Sequence, residues 1–204
     1  MIRARICLGA DSPFRYGRKI AVAPHIVSKD FGDDVLIFAS PHKLNREAHD
    51  ILKLGKEVAT NRSKAFWEIF AKRSNESVHL LPVNVLANIA RSLEFSPNSD
   101  LITGTCKVMS DYVSQKSGFR EPVVSMSDLL ALFKFFNKYL LAIDDKLYKS
   151  LLGTLEKSIH LVVADDVEDI VHEVGEMSQR IRRKSEEVSR IESLILKRLL
   201  VVSK

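Results

Sequence analysis

Apolar side chains recur every seventh residue in the C-terminal part of the chain, between Val167 and Val202. The first position of each heptad is held by Val167, Val174, Ile181, Val188, Ile195 and Val202, and the fourth by Ile170, Met177, Lys184, Ile191 and Arg198. Nine of these eleven positions are apolar. Such a repeat predicts one long helix, beginning near Asp165, with an apolar seam along one face.

Two cations interrupt this seam, Lys184 and Arg198. A coiled coil formed by two copies of the helix would bury both without a partner, which is unfavourable. We therefore expect the seam to pack on the protein's own helices from Val167 to about Ile181, and to loosen near Lys184.

Helical periodicity covers most of the chain from Ser40 onward. Ser40 followed by Pro41 is typical of a helix start, because the hydroxyl caps a free N–H group and proline lacks one. Before Ser40, three short runs rich in β-forming residues predict a small antiparallel meander at residues 2–8, 19–27 and 35–39. The further predicted helices cover residues 62–72, 83–95, 100–113, 129–143, about 144–163, and about 165 to the end.

These patterns predict a mainly α fold, a helical bundle with a long C-terminal helix and a small N-terminal β meander. The clearest break is the segment Ser96-Pro-Asn-Ser-Asp, which combines several turn-forming residues. We therefore predict an N-terminal domain at residues 1–97, with strands followed by helices, and a C-terminal helical domain at residues 98–204.

Composition places the chain among globular proteins with a mild preference for polyanions. It has 204 residues, 46% of them hydrophobic and 28% charged, and a net charge of +5. Only two cysteines occur, Cys7 and Cys106, which favours a reducing compartment over a disulfide framework. Neither a secretory leader nor an apolar run of membrane-spanning length is recognisable. We therefore expect a cytoplasmic protein that does not insert into membranes.

The sequence contains no recognisable catalytic or metal-binding motif. The glycines Gly9 and Gly17 are too far apart for a phosphate-binding loop, and His42 and His49 lie two helical turns apart. The acidic pairs at residues 144–145 and 165–166 are explained by helix capping. We expect no enzyme, no metal and no cofactor, although catalytic groups that converge only in the fold remain an alternative.

Three clusters of basic residues are candidates for contact with RNA phosphates. Four of these cations lie near the middle of the predicted C-terminal helix, where the helix dipole does not explain them, so a solvated face and a polyanion site remain equal alternatives. In the middle cluster, the aromatic residues Phe66, Trp67 and Phe70 have the spacing of a buried helix face rather than of a stacking platform. The candidates are Arg15, Arg18 and Lys19; Arg62, Lys72 and Arg73; and Arg180, Arg182, Arg183 and Lys184.

Two segments resemble the closterovirus suppressors of RNA silencing, the family that includes the suppressors of beet yellows virus and citrus tristeza virus. The first is Phe66-Trp67-Glu68-Ile69-Phe70-Ala71-Lys72-Arg73-Ser74, and the second covers residues 139–144 and 151–160. The resemblance spans about residues 60–200. It implies a mostly helical viral protein that acts in the host cytoplasm and closes into a ring-like homo-oligomer with a basic inner surface. Such a protein sequesters small duplex or single-stranded RNA without reading its sequence.

The sequence therefore predicts a non-enzymatic suppressor of RNA silencing that binds the RNA backbone as a homo-oligomer. The charge pattern of the C-terminal segment fits self-assembly: residues 165–176 carry six acids and no Lys or Arg, whereas residues 180–204 carry eight bases and three acids. Complementary patches can join copies head to tail, and such contacts form rings when they close. The alternative is a helical protein-interaction module without RNA binding.

Overall fold

The protein is mainly helical in the part that its computed structural model describes, which comprises residues 36, 39–115, 119, 123–181 and 186–202. No strand occurs among these residues, so the predicted mainly α class is confirmed. The helices are α1 (Pro41–Leu54), α2 (Lys56–Thr60), α3 (Lys64–Ser77), α4 (Val83–Leu93), α5 (Ser99–Gln115), α6 (Met126–Tyr139), α7 (Asp145–Ser158), α8 (Val167–Arg180) and α9 (Glu186–Val202).

Serine hydroxyls cap the N-termini of three of these helices. The Oγ atoms of Ser40, Ser63 and Ser125 accept hydrogen bonds from the backbone N–H groups three residues further on. At Ser40 the predicted helix start is confirmed, with Pro41 in the first turn. The helix predicted from residue 62 begins at Lys64 and the helix predicted from residue 129 begins at Met126, because Ser63 and Ser125 supply the caps.

The break after Ser96 is shorter than its turn-rich sequence indicates, because α5 already begins at Ser99. Asn98 caps this helix: its Oδ1 accepts hydrogen bonds from the backbone N–H groups of Asp100 and Leu101, at 3.0 and 3.4 Å. Asp100, the first residue of the helix predicted over residues 100–113, lies in the first turn. There its carboxylate faces the positive end of the helix dipole.

Consecutive helices alternate between two layers. In one layer α1 packs against α4, α4 against α6 and α6 against α8, whereas in the other α3 packs against α5 and α5 against α7. Helix α9 packs against α8 and against the turn at residues 159–161 that follows α7. Each helix therefore has neighbours that are distant in sequence.

One apolar core lies between the layers and includes buried side chains from Leu36 to Ile195. Its largest fully buried members include Trp67, Tyr148 and Phe133. Because α3 and α4 pack on α5 and α6, the core continues across the boundary predicted between residues 97 and 98. Independent folding of the two predicted domains stays a prediction.

The N-terminal β meander cannot be compared in full, because residues 1–35, 37 and 38 lie outside the described residues. At Leu36 the chain forms a helical turn, in which the backbone carbonyl accepts a hydrogen bond from Ala39 N–H at 3.0 Å. The side chain of Leu36 is buried in the core. The backbone at Leu36 is therefore helical rather than extended, and the rest of the predicted meander stays a prediction.

The single long C-terminal helix is also wrong, because α8 ends at Arg180 and a new helix begins at Glu186. Five heptad residues of the two pieces face the core: Ile170, Val174 and Met177 are buried on α8, and Ile191 and Ile195 on α9. A continuous helix over residues 167–202 would be about 54 Å long, far beyond the ~30 Å width of a small domain. Interrupting the helix lets both apolar stripes pack on the same core. The expectation that the seam packs on the protein's own helices up to about Ile181 is thus confirmed.

A buried polar network connects α8 to the end of α6. The two terminal nitrogens of the Arg180 guanidinium donate hydrogen bonds to the backbone carbonyls of Asn137 and Leu140. These carbonyls lie at the C-terminus of α6, where helical partners are lacking and the dipole favours a cation. The side-chain amide of Asn137 donates hydrogen bonds to Glu173 Oε2, at 2.7 Å, and to the backbone carbonyl of Glu173, at 2.9 Å. Arg180 therefore holds the last turn of α8 against α6.

We expect the substitution Arg180→Ala to lower the free energy of unfolding by about 2 kcal/mol, because it removes charge-assisted hydrogen bonds from partly buried carbonyls. Urea denaturation followed by circular dichroism measures this change. Gln179→Ala is the matched control, since Gln179 is exposed on the same helix. Equal stabilities of the two variants would contradict the assigned role of Arg180.

Candidate nucleic-acid interface

The structure describes four of the ten basic residues predicted to contact RNA. Arg62 precedes α3, Lys72 and Arg73 lie on α3, and Arg180 is the last residue of α8. The other six lie outside the described residues, and their role stays a prediction: Arg15, Arg18, Lys19, Arg182, Arg183 and Lys184.

Arg62 and Arg73 are held by contacts within the fold. The Arg62 guanidinium lies 4.3 Å from the centre of the Phe66 ring, and its Nη1 lies 3.8 Å from Glu47 Oε2. Arg73 donates from Nε to the backbone carbonyl of Ala39, at 2.8 Å, and from Nη1 to Glu76 Oε2, at 3.1 Å. Both side chains therefore stabilise the packing around α3, and little of their charge is left for a phosphate.

Lys72 is exposed, but its surroundings are acidic. Glu68 and Glu76 lie one turn away on either side of it along α3, where side chains four residues apart are neighbours. Arg62 precedes the first residue of this helix, whereas Arg73 lies about 14 Å along its axis from Lys64, and Arg180 is bonded to carbonyls of α6. The four described candidates thus do not form one cationic surface.

The aromatic residues of the middle cluster belong to the core, as their spacing predicts. Phe66 is 3% exposed, and both Trp67 and Phe70 are fully buried. The rings of Phe66 and Trp67 meet edge to face with their centres 5.4 Å apart. They are not available to stack on RNA bases.

A row of exposed bases that the sequence analysis missed lies on α7 and α9. Lys146, Lys149 and Lys157 share one face of α7, within an arc of about 80° at 100° per residue. Arg190 and Lys197 are exposed on α9, on the side where Arg190 reaches α7. We call these five side chains the α7/α9 basic strip. In the sequence, this strip is indicated only by the helical spacing of the three α7 lysines. Its α9 members could not be predicted, because only the fold places α9 beside α7.

A shallow groove of about 160 Å³ runs through this strip, lined by Lys149, Leu152, Gly153, Glu156 and Arg190. A Cβ atom added at Gly153 would meet no atom within 4 Å, so packing does not require a glycine there. A glycine inside a helix costs about 0.5–1 kcal/mol relative to alanine. Its presence leaves the helix backbone open to close approach by a ligand at the centre of the groove.

The cationic surplus of the strip is moderate. Lys149 pairs with Asp145 at 2.9 Å, and Arg190 pairs with Glu156 at 2.5 Å. Lys146, Lys157 and Lys197 form no ion pair with any residue that the structure describes. Helix α9 also carries three glutamates in its sequence, at residues 186, 187 and 192. Each copy of the chain therefore offers a few free cations rather than a strongly positive surface.

The described residues give little support for a metal site, a membrane-spanning helix or a reactive thiol. No three His, Cys, Asp or Glu side chains there lie close enough together to hold a metal ion. None of the helices in these ranges combines the length and the apolar character that crossing a membrane requires. The thiol of Cys106 is fully buried, and burial raises its pKa to about 12, against a smaller opposing effect of the Arg180 charge. Cys106 is therefore a neutral core side chain and not a nucleophile.

No family model, no curated protein and no solved structure matches this chain. The resemblance to the closterovirus suppressors thus rests on the two segments alone. The first of these lies wholly on α3, and residues 151–160 of the second form the C-terminal half of α7 and the turn that follows it.

We expect Cys106 to resist alkylation at neutral pH in a Cys7→Ser background, and to react rapidly once urea unfolds the chain. The reason is that only the thiolate is reactive and that burial disfavours it. Timed reaction with iodoacetamide, analysed by mass spectrometry, measures both rates. Rapid labelling of the folded protein would contradict the assigned burial.

The same thiol predicts a pH dependence of stability. Its pKa is raised from 9.0 to about 12 in the folded protein, so its contribution to stability is fully present below pH 9 and is lost as the pH rises toward 12. Urea denaturation at pH 8 to 11 should therefore show a decline that is shallower in Cys106→Ala, provided that both proteins carry Cys7→Ser. Parallel pH profiles would contradict this prediction.

Proposed function

We propose that this protein binds RNA through its sugar–phosphate backbone without reading the sequence, and that it acts in the host cytoplasm as a viral suppressor of RNA silencing. The observation that carries the proposal is the α7/α9 basic strip with its open groove. Lysines are compact point charges suited to phosphates, and neutralising phosphates releases counterions regardless of base sequence. Contacts of this kind give affinity without base readout.

The resemblance adds a second line of support. Residues 151–160 of the second resembling segment include Gly153, Glu156 and Lys157, which belong to the groove or to the strip. The resemblance therefore implies that this segment takes part in the common function and not only in the core.

Self-association completes the proposal, because each copy offers only a few free cations. Several weak sites on one RNA bind more tightly than one, since each later contact is intramolecular. Exposed acids for a contact between copies lie at the start of α8, where Asp165 and Glu168 form no ion pair with any described residue. A ring-like homo-oligomer joined through such acids and the bases of a neighbouring copy would align several basic strips.

We expect the triple substitution Lys146→Ala, Lys149→Ala and Lys157→Ala to weaken RNA binding about equally for unrelated sequences. The slope of log K against log salt should also become shallower by about 0.7–0.9 for each phosphate contact that is lost. Filter binding of small duplex and single-stranded RNA between low and high salt measures both effects. The matched control replaces three exposed lysines elsewhere, Lys53, Lys56 and Lys107. Equal losses in the two triple variants would remove the strip from the interface.

The predicted cluster at residues 180–184 needs a separate test, because Arg180 supports the fold. We expect replacement of Arg182, Arg183 and Lys184 by alanine, with Arg180 retained, to lower both affinity and salt slope if these bases contact phosphates. The same filter-binding assay measures this. An unchanged slope would remove the cluster from the interface.

The second candidate function, a protein-interaction module without RNA binding, is favoured by large apolar side chains at the surface. Leu141 is 97% exposed, and Val163 and Leu196 are 56% and 58% exposed. Exposed apolar side chains can anchor a partner helix. Absence of RNA retention even at low salt would favour this candidate over RNA binding.

A further inference from the structure

A groove between α3 and α5 is lined by residues that do not belong to the α7/α9 basic strip. It encloses about 330 Å³, and its apolar lining includes Ala71, Leu101 and Gly104. Gly104 lies in the interior of α5, and a Cβ atom added there would meet no atom within 4 Å. The groove therefore reaches the helix backbone and offers an apolar surface to an aliphatic chain.

Two buried polar groups in the same lining have no hydrogen-bond partner. Thr105 is 1% exposed and its Oγ1 is unpaired, and the Oδ1 atom of Asn75 is buried and equally unpaired. Both residues line the groove. Because buried polar atoms nearly always have a partner, these two unpaired oxygens are suited to accept hydrogen bonds from a ligand that carries N–H groups.

Charge points to the same ligand chemistry. Three carboxylates line the groove, those of Glu68, Glu76 and Asp100, against the single cation Lys72. Glu68 and Glu76 also pair with cations of their own helix, at 3.6 and 3.1 Å, whereas Asp100 forms no ion pair with any described residue. Because no three such groups in the described ranges lie close enough to share a metal ion, an extended organic cation fits better than a metal.

We propose that the α3/α5 groove binds a primary ammonium group carried on an aliphatic chain. The ammonium has three N–H donors, for which the Asn75 carbonyl and the Thr105 hydroxyl are acceptors, and the Asp100 carboxylate, about 7.5 Å away along the axis of α5, attracts its positive charge. The aliphatic chain packs along Ala71 and Gly104. Lys72 on the same face selects a ligand whose cationic groups are spaced apart. Such a group can come from a free polyamine or from a lysine side chain of a protein partner.

The test is calorimetric titration of the full chain with spermidine, and separately with an N-acetyl-lysine amide, at low salt. We expect binding that weakens about tenfold in Asp100→Asn, which loses the attracting charge, and in Thr105→Val, as for loss of one hydrogen bond to a charged group. Thr105→Val keeps the shape of the side chain and removes an unpaired hydroxyl, so the fold should be at least as stable. Thermal unfolding of each variant checks this.

Asp111→Asn is the matched control, because Asp111 is exposed on the same helix about three turns from Asp100. A second pair is Gly104→Ala, which narrows the groove, and Gly175→Ala, which adds a methyl group to an equally open position on α8. The affinity for the ligand should fall in Asp100→Asn and Gly104→Ala, and it should be unchanged in Asp111→Asn and Gly175→Ala.

Binding of spermidine alone would assign the groove to a free polyamine, and binding of the lysine amide would assign it to a protein side chain. If neither ligand binds, the proposal is overturned. It is equally overturned if Asp111→Asn weakens binding as much as Asp100→Asn does, because the attraction would then be that of diffuse counterions.

Discussion

Burial of one apolar face on every long helix is the constraint on which this structure depends. Seven of the nine described α-helices have 14 residues or fewer, and isolated helices shorter than about 12–15 residues are marginal in water because nucleation is costly. Alternation between two layers gives each helix neighbours that are distant in sequence, and together they enclose one core. The helices therefore stabilise one another cooperatively. The positions of the surface charges are set by the packing of the helices rather than by attractions between the charges.

The same packing decides which cations stabilise the fold and which remain available to a ligand. Arg180 caps the end of α6, and Arg62 and Arg73 bind groups around α3. Lys138 is engaged as well, since hydrogen bonds with Tyr139 and Glu94 raise the pKa of its ammonium group. The lysines of α7 face solvent because the opposite face of that helix, with Leu147 and Leu151, fills the core. The side chains of the candidate interface thus lie on helix faces that do not pack into the core.

Local sequence rules predicted the start of a helix correctly where only one residue could serve as its N-cap. Ser40 before Pro41 leaves a single sensible start, and the structure has it. Asn98 and Asp100 can both cap a helix, and only the course of the chain selects Asn98. The interruption after Arg180 had only a weak local signal, the cation Lys184 within the apolar seam, because the apolar residues at the first heptad positions continue past it. It follows from the width of the core, a property of the whole fold.

The sequence by itself determined the helical class and the identity of most core residues, such as Trp67, Ile170 and Ile191, because apolar periodicity is a local property of the chain. It also determined the overall excess of positive charge. Only the tertiary structure decided which charges meet. Arg190 lies 34 residues from Glu156, and Thr105 shares a groove with Asn75 across two helices. Such proximity depends on which helices pack together, and that is set by the competition of all apolar faces for one core.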